Sequence, residues 1–193
     1  MVIALLSSYS KDADLLRLAR LLTDNGWGLL GSAGTTNYLK DNGIACKDVA
    51  DIVGPPILGH RVVTLSREIY AGLLASTKED FAELKRLNIS SIDLVYVNLY
   101  PLEKETKNPQ ATPESVLEKT DIGGPTLLRA AAKGRRLTLS NYEQIAELES
   151  WISKGSPEKE RENMVLRFAA EAERRVADYI SASACYWGEK SRV

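Results

Sequence analysis

Short apolar runs and longer stretches with helical spacing alternate along the chain, separated by polar or glycine-rich connections. Residues 2–6 are continuously apolar, as a strand buried on both faces requires, and Ser7, Ser8, Tyr9 and Ser10 end the run with hydroxyls. Asp14 then precedes Leu15, Leu16, Leu18, Ala19, Leu21 and Leu22, whose spacing predicts an amphipathic helix stopped by Asn25-Gly26. The same rhythm recurs: residues 27–30 predict a strand, Gly31-Ser32-Ala33-Gly34-Thr35-Thr36 a loop, and the stretch to Asn42 a helix. A further short strand is expected within residues 46–53, before Gly54-Pro55-Pro56 breaks regular structure. Phe81, Ala82, Leu84 and Leu87 place a helix over 79–87, and residues 91–101 predict a central strand ended by Pro101.

The charged stretch 103–113 predicts a surface loop and 114–119 a helical turn. Residues 137–140 predict another strand and 142–151 a helix. After Gly155-Ser156-Pro157, residues 158–180 carry Met164, Val165, Phe168, Ala172, Val176 and Tyr179 on one helical face, which needs a surface to pack against. The expected fold class is α/β: a mainly parallel sheet with helices on both faces. Residues 1–155 are assigned to one domain and 156–193 to a C-terminal helical extension.

Composition narrows the function classes. A chain of 193 residues, 44% hydrophobic, can bury a sizeable core. Its 25 Lys+Arg nearly balance 26 Asp+Glu, so no global field recruits nucleic acid or an anionic membrane, and an anionic ligand must be held locally. Cys46 and Cys185 lack metal-type spacing, and a single histidine, His60, rules out a multi-histidine metal site. No apolar run reaches membrane-spanning length and the N-terminal run lacks a basic flank, so a cytoplasmic location is expected.

The chemistry concentrates in a few stretches. Asp121-Ile122-Gly123-Gly124-Pro125 leads into the helix formers 126–132 and Lys133. The glycines permit close backbone approach, Pro125 suits the first helical position, and the unpaired N–H groups of residues 122–124 sit at a positive dipole end suited to an anion or oxyanion. The loop of residues 31–36 offers amides and hydroxyls of the phosphate-binding kind without being a Walker motif. Arg61 brings a planar guanidinium near Thr64. Asn98 and Tyr100 stand on one side of the carboxyl end of the central strand, where open α/β sheets bind ligands.

Taken in order, residues 4–10, 31–36, Arg61-Val62 with Thr64-Leu65, Asn98-Leu99-Tyr100-Pro101 and residues 121–133 resemble the inosine monophosphate (IMP) cyclohydrolase domain of the bifunctional purine-biosynthesis enzyme that also carries AICAR formyltransferase activity. The resemblance implies a methylglyoxal-synthase-like fold. It also implies dehydrative closure of 5-formamidoimidazole-4-carboxamide ribonucleotide (FAICAR) to IMP, without metal or cofactor. Asp121, Lys133 and Tyr100 are the catalytic residues it implies. Ser8, Ser10, Ser32, Gly34, Thr35 and Thr64 are the implied phosphate ligands, with Lys11, Arg61, Asn98 and the amides of Ile122 and Gly123 completing the substrate site. A homodimer and a separate AICAR formyltransferase are the implied protein partners.

Two departures stand out. The family's Ser-Asp-Lys-Thr reads Ser10-Lys11-Asp12-Ala13, with the charges transposed, and a family lysine is replaced by Val63, leaving Lys11 or Arg67 as candidate substitutes. Two alternatives to a cyclohydrolase follow: a nucleotide-binding subunit weakened in catalysis that docks with a separate formyltransferase, and a methylglyoxal synthase or ligand domain of the same fold. The methylglyoxal synthases rely on a histidine, and His60 adjoins Arg61 in the cyclohydrolase-like segment.

Overall fold

The computed structural model describes residues 2–59 and 61–191. Five parallel strands, β1 (Ile3–Ser8), β2 (Gly28–Gly31), β3 (Lys47–Asp48), β4 (Leu94–Asn98) and β5 (Leu137–Leu139), form one sheet in the order β3-β2-β1-β4-β5. The chain builds outward from β1 to β3, returns to the other side of β1 with β4, and builds outward again. The direction therefore reverses between β1 and β4, whose carboxyl ends lie in register with Ser8 opposite Asn98. The loops leaving these two ends run apart, which opens a crevice at that point.

The described helices are α1 (Ala13–Asp24), α2 (Ala33–Asp41), α3 (Ala50–Val53), α4 (Arg67–Leu74), α5 (Lys78–Arg86), α6 (Leu102–Thr106), α7 (Pro113–Glu118), α8 (Gly123–Lys133), α9 (Gln144–Ser153) and α10 (Glu158–Lys190). Strand alternation sorts the core into two layers, because successive side chains point to opposite faces. Ala4, Leu6, Leu94, Tyr96, Leu137 and Leu139 meet Leu15, Leu18 and Leu22 of α1 and Ile145 and Leu148 of α9. Leu5, Val95 and Val97 face the other way, onto Ile69 and Leu73 of α4 and Leu127, Leu128 and Ala131 of α8. Helices therefore cover both faces, as the continuous apolar runs require.

Helix α10 belongs to both layers. Met164, Val165 and Phe168 join the first, while Ala172, Val176, Tyr179 and Tyr186 join the second, so the helix passes along the β5 edge from one face to the other. Burying each of these large side chains is worth about 1.5–3 kcal/mol, which is how one amphipathic face finds its partner. The helix runs on to Lys190, beyond the expected end at 180, because Tyr186 stays buried and nothing after Ile180 breaks it.

Other elements differ from expectation for identifiable reasons. The stretch expected as a surface loop contains α6, with Leu102 fully buried and Glu105 only 7% exposed. The Glu105 carboxylate accepts hydrogen bonds from Ser115 Oγ (2.6 Å) and Lys119 Nζ (2.5 Å), so charge there marks a tie across α6 and α7 rather than solvation. The strand expected within 46–53 is only two residues long and gives way to α3. Helix α4 was not foreseen; Ser66 caps it by accepting from the Ile69 N–H at 3.2 Å. Among the described residues no helix is long and apolar enough to cross a membrane.

Candidate active site

A cleft of about 320 Å³ occupies the reversal point of the sheet, walled by the loops after β1 and β4, the start of α2, the segment before α4 and the junction of α7 with α8. One end is a cradle for an anion. Helix α2 starts at Ala33 rather than beyond the glycine-rich loop, so Gly34, Thr35 and Thr36 form its first turn. Ser32 and Gly34 face the cleft at this N-terminus, where unpaired amides favour negative charge.

The order Lys11-Asp12 has a structural reason. Asp12 caps α1, its carboxylate accepting from the Leu15 N–H at 3.0 Å, while the Lys11 side chain lies across Gly34 and lines the cleft. The Lys11 ammonium donates to the carbonyls of Ser8 and, at 3.4 Å, Tyr9, and burial pushes its pKa down against a smaller opposing pull from Asp12. Arg67, the other candidate, is paired with Glu68 at 3.2 Å on the surface, with its side chain 80% exposed.

Two of the expected ligands hold the cradle together instead of lining it. Thr35 is fully buried, and its hydroxyl accepts from the Ser8 N–H and from Ser32 Oγ, each at 3.1 Å. Ser10 donates its N–H to Asn98 Oδ1 at 3.1 Å, and its carbonyl accepts from Ser8 Oγ at 2.7 Å. Ser7, outside the expected ligand set, also lines the cleft, its Oγ 3.4 Å from Ser32 Oγ; the hydroxyl run after β1 is its signal in the sequence.

The other end gathers Asp121, Ile122, Gly123, Gly124, Thr64, Asn98 and Tyr100. Helix α8 begins at Gly123, two residues before Pro125, and Asp121 Oδ1 accepts from the Gly124 N–H at 3.1 Å. Burial pushes the Asp121 pKa up, and the Gly124 and Gly123 amides draw it back in part. Gly124 admits no side chain: a Cβ there would collide with the Asp121 carboxylate and come within 2.7 Å of Leu99 Cδ2. A Cβ on Gly123 would lie 2.9 Å from Thr64 Oγ1, so the segment carrying Thr64 is packed against the start of α8. The Tyr100 hydroxyl is pushed up by burial and then by the charge of Asp121, and its ring packs against Tyr9 with centroids 4.7 Å apart.

Arg61 lies on the rim, 68% exposed, its guanidinium 4.0 Å from Glu118, and Val63 contributes an apolar stretch of wall. Lys133 is not brought to the cleft. It occupies the exposed last turn of α8, ten residues and about 15 Å along the axis from Gly123. His60 lies outside the described residues. Among the described residues no group of three or more His, Cys, Asp or Glu side chains is placed to hold a metal ion.

The family model of the MGS-like domain matches residues 14–126. The bifunctional purine biosynthesis protein PurH of Natranaerobius thermophilus is 46% identical over 130 residues, 67% of this chain and 25% of that protein. PurH of Trichodesmium erythraeum is 46% identical over 135 residues, 68% of this chain and 26% of that protein. The chain thus spans about a quarter of the length of these curated relatives. The crystal structure of ForH superposes with a TM-score of 0.83 at 31% identity, covering 96% of this chain and 98% of that one. With a parallel sheet open at the β1/β4 reversal point and a family pattern running from α1 into the first turn of α8, the chain belongs to the MGS-like domain family.

Proposed function

We propose that the chain is an IMP cyclohydrolase, closing FAICAR to IMP with loss of water. The observation that carries this reading is the pairing, in one cleft, of an anion cradle at α2 with a partly buried Asp121 at the start of α8. A ribonucleotide 5′-phosphate fits the cradle, where Ser32, the Gly34 region and Lys11 offer hydroxyl, amide and ammonium donors. The base then points toward Asp121. Similarity to PurH, a purine biosynthesis protein by name, supports the same substrate class.

The chemistry needs one base and one oxyanion site. Asp121 takes a proton from the carboxamide nitrogen as that nitrogen bonds to the formyl carbon, and the formyl oxygen gains the charge. A carboxylate whose pKa is raised by burial is a stronger base at neutral pH than an ordinary aspartate. Amides at the first turn of α8 face the developing oxyanion, an interaction worth about 3 kcal/mol per donor in acyl-transfer sites. The Gly124 amide serves Asp121 and the Gly123 amide also draws on that carboxylate, so this reading gives the oxyanion the Ile122 amide, with Gly123 shared between oxyanion and carboxylate; both residues line the cleft. The Tyr100 hydroxyl, beside Asp121, keeps its proton and can donate it to that oxyanion; the oxygen then leaves as water with a second proton returned by Asp121, while the former formamide nitrogen gives its proton back to the Tyr100 oxygen as the ring C=N bond forms. In this reading Lys133 takes no direct part within one chain.

Purified protein mixed with FAICAR, followed by ultraviolet absorbance of IMP, tests the reading. Turnover that Asp121→Asn abolishes is the expected result. Binding without turnover supports the second reading, a nucleotide-binding subunit, which is favoured by one observation: Val63 lines the wall where the resembling family has a lysine.

A further inference from the structure

Helix α10 lies outside the residues that carry the MGS-like pattern, yet one of its side chains reaches the Asp121 loop. Tyr179 is 2% exposed; its hydroxyl accepts a hydrogen bond from the Asp121 N–H at 2.7 Å and donates one to the Lys119 carbonyl at 2.9 Å. A phenolic hydroxyl has one proton and acceptor lone pairs, so these two bonds together define its orientation. The same oxygen therefore clamps the main chain on both sides of Thr120. Two ion pairs hold α10 against this wall: Arg175 with Glu103 of α6 at 2.6 Å, and Arg129 of α8 with Glu173 at 3.5 Å. From the opposite side Lys119 is tied through its ammonium to Glu105.

We propose that Tyr179 is a positioning residue for Asp121: by ordering the main chain of residues 119–121 from outside the cleft, it sets the direction in which the Asp121 carboxylate faces the substrate. The proposal rests on the cyclohydrolase reading insofar as that reading makes Asp121 the base. Tyr179 does not itself line the cleft; it reaches the lining only through the main chain of Asp121. Burial pushes its pKa up to about 12, so the hydroxyl keeps its proton, and with it both bonds, throughout neutral and mildly alkaline conditions. The role assigned to α10 follows: it covers both layers of the core and also carries the strut that sets the reactive carboxylate.

Tyr179→Phe tests the proposal, since it keeps the ring in the core and removes only the oxygen. The expected result is a fall in kcat of about tenfold with KM within about twofold, because phosphate binding at the far end of the cleft is untouched while the base is misdirected. Titration of the Asp121 carboxyl by carbon NMR, assigned with Asp121→Asn, should move toward an ordinary aspartate value as the loosened loop admits water. An unchanged titration together with an unchanged kcat overturns the proposal, whatever happens to thermal stability, and leaves Tyr179 a packing residue. The titration needs no turnover: a shift on Tyr179→Phe, where the wild-type protein does not convert FAICAR, upholds the positioning role while sinking the cyclohydrolase reading. Amide exchange of wild-type protein needs no variant either. Strong protection of the Asp121 N–H is expected, and exchange as fast as in an open loop overturns the strut.

Discussion

The two ends of the cleft are built on different principles. The anion cradle draws on segments close in sequence, the turns after β1 and β2, and its hydroxyls hold one another and the main chain: Ser7 with Ser32, Ser32 with Thr35, and Thr35 with the Ser8 N–H. The reactive end is assembled from β4, the segment before α4, the α7–α8 junction and, through Tyr179, the last helix of the chain. A cradle of local hydrogen bonds tolerates the loss of one member. A carboxylate aimed by four distant segments does not, because its burial and direction depend on all of them at once.

Substitutions that touch one end only sharpen this contrast. The largest effect is expected from Asp121→Asn, with kcat falling about 10³-fold, in the range for loss of a general base, and nucleotide affinity nearly unchanged by calorimetry. Wild-type turnover in this variant would end the distinction between the two ends. Gly124→Ala is next: its methyl group would displace the Asp121 carboxylate and press on Leu99 and Val97, so kcat should fall about 10²-fold, while overpacking costs about 1–3 kcal/mol in denaturant unfolding. Lys11→Ala acts at the other end and should raise KM by about 30-fold, equivalent to one charge-assisted hydrogen bond of about 2 kcal/mol, with kcat unchanged; a lower kcat at constant KM would show that the ends are coupled.

Smaller effects test the electrostatics. Burial raises the pKa of Asp121 in the fold, so the stability associated with its protonated form is complete below the ordinary aspartate value and is lost as pH rises through the raised one. Asp121→Asn should therefore gain Tm relative to wild type as pH is raised from acid to neutral; a difference independent of pH would show that the carboxylate is well solvated. The smallest effect is expected from Val63→Lys. A cation added to a partly open wall is worth up to about 1 kcal/mol, an affinity gain of up to about fivefold in phosphate-bearing ligand titrations. No gain would show that Lys11 already neutralises the phosphate.

The turn that brings residues 121–124 to the cleft is legible in the sequence, because two glycines after an aspartate and before helix formers have few backbone solutions. Less legible was which polar side chains reach the cleft. Thr35 and Ser10 resemble ligands in composition, yet the Thr35 hydroxyl is used within the protein and Ser10 is tied through its main chain. Lys133 shares a helix with Gly123 but projects from its far end, since a rise of about 1.5 Å per residue separates them whatever their nearness in sequence. The α6 segment was misread because a run of charges looks the same whether it faces water or, as at Glu105, closes on a lysine and a serine.

Local periodicity and backbone freedom were enough to set the strand–helix alternation, the two-faced burial of the sheet and the presence of an aspartate beside a helix start. That Asp12 caps a helix while Lys11 faces the cleft, and that Tyr179, almost sixty positions away, grips the main chain of Asp121, emerges from the folded arrangement alone. Those assignments depend on which groups meet across the fold. Hydrogen bonds and burial act over a few ångströms of space, and no local pattern in the chain records that proximity.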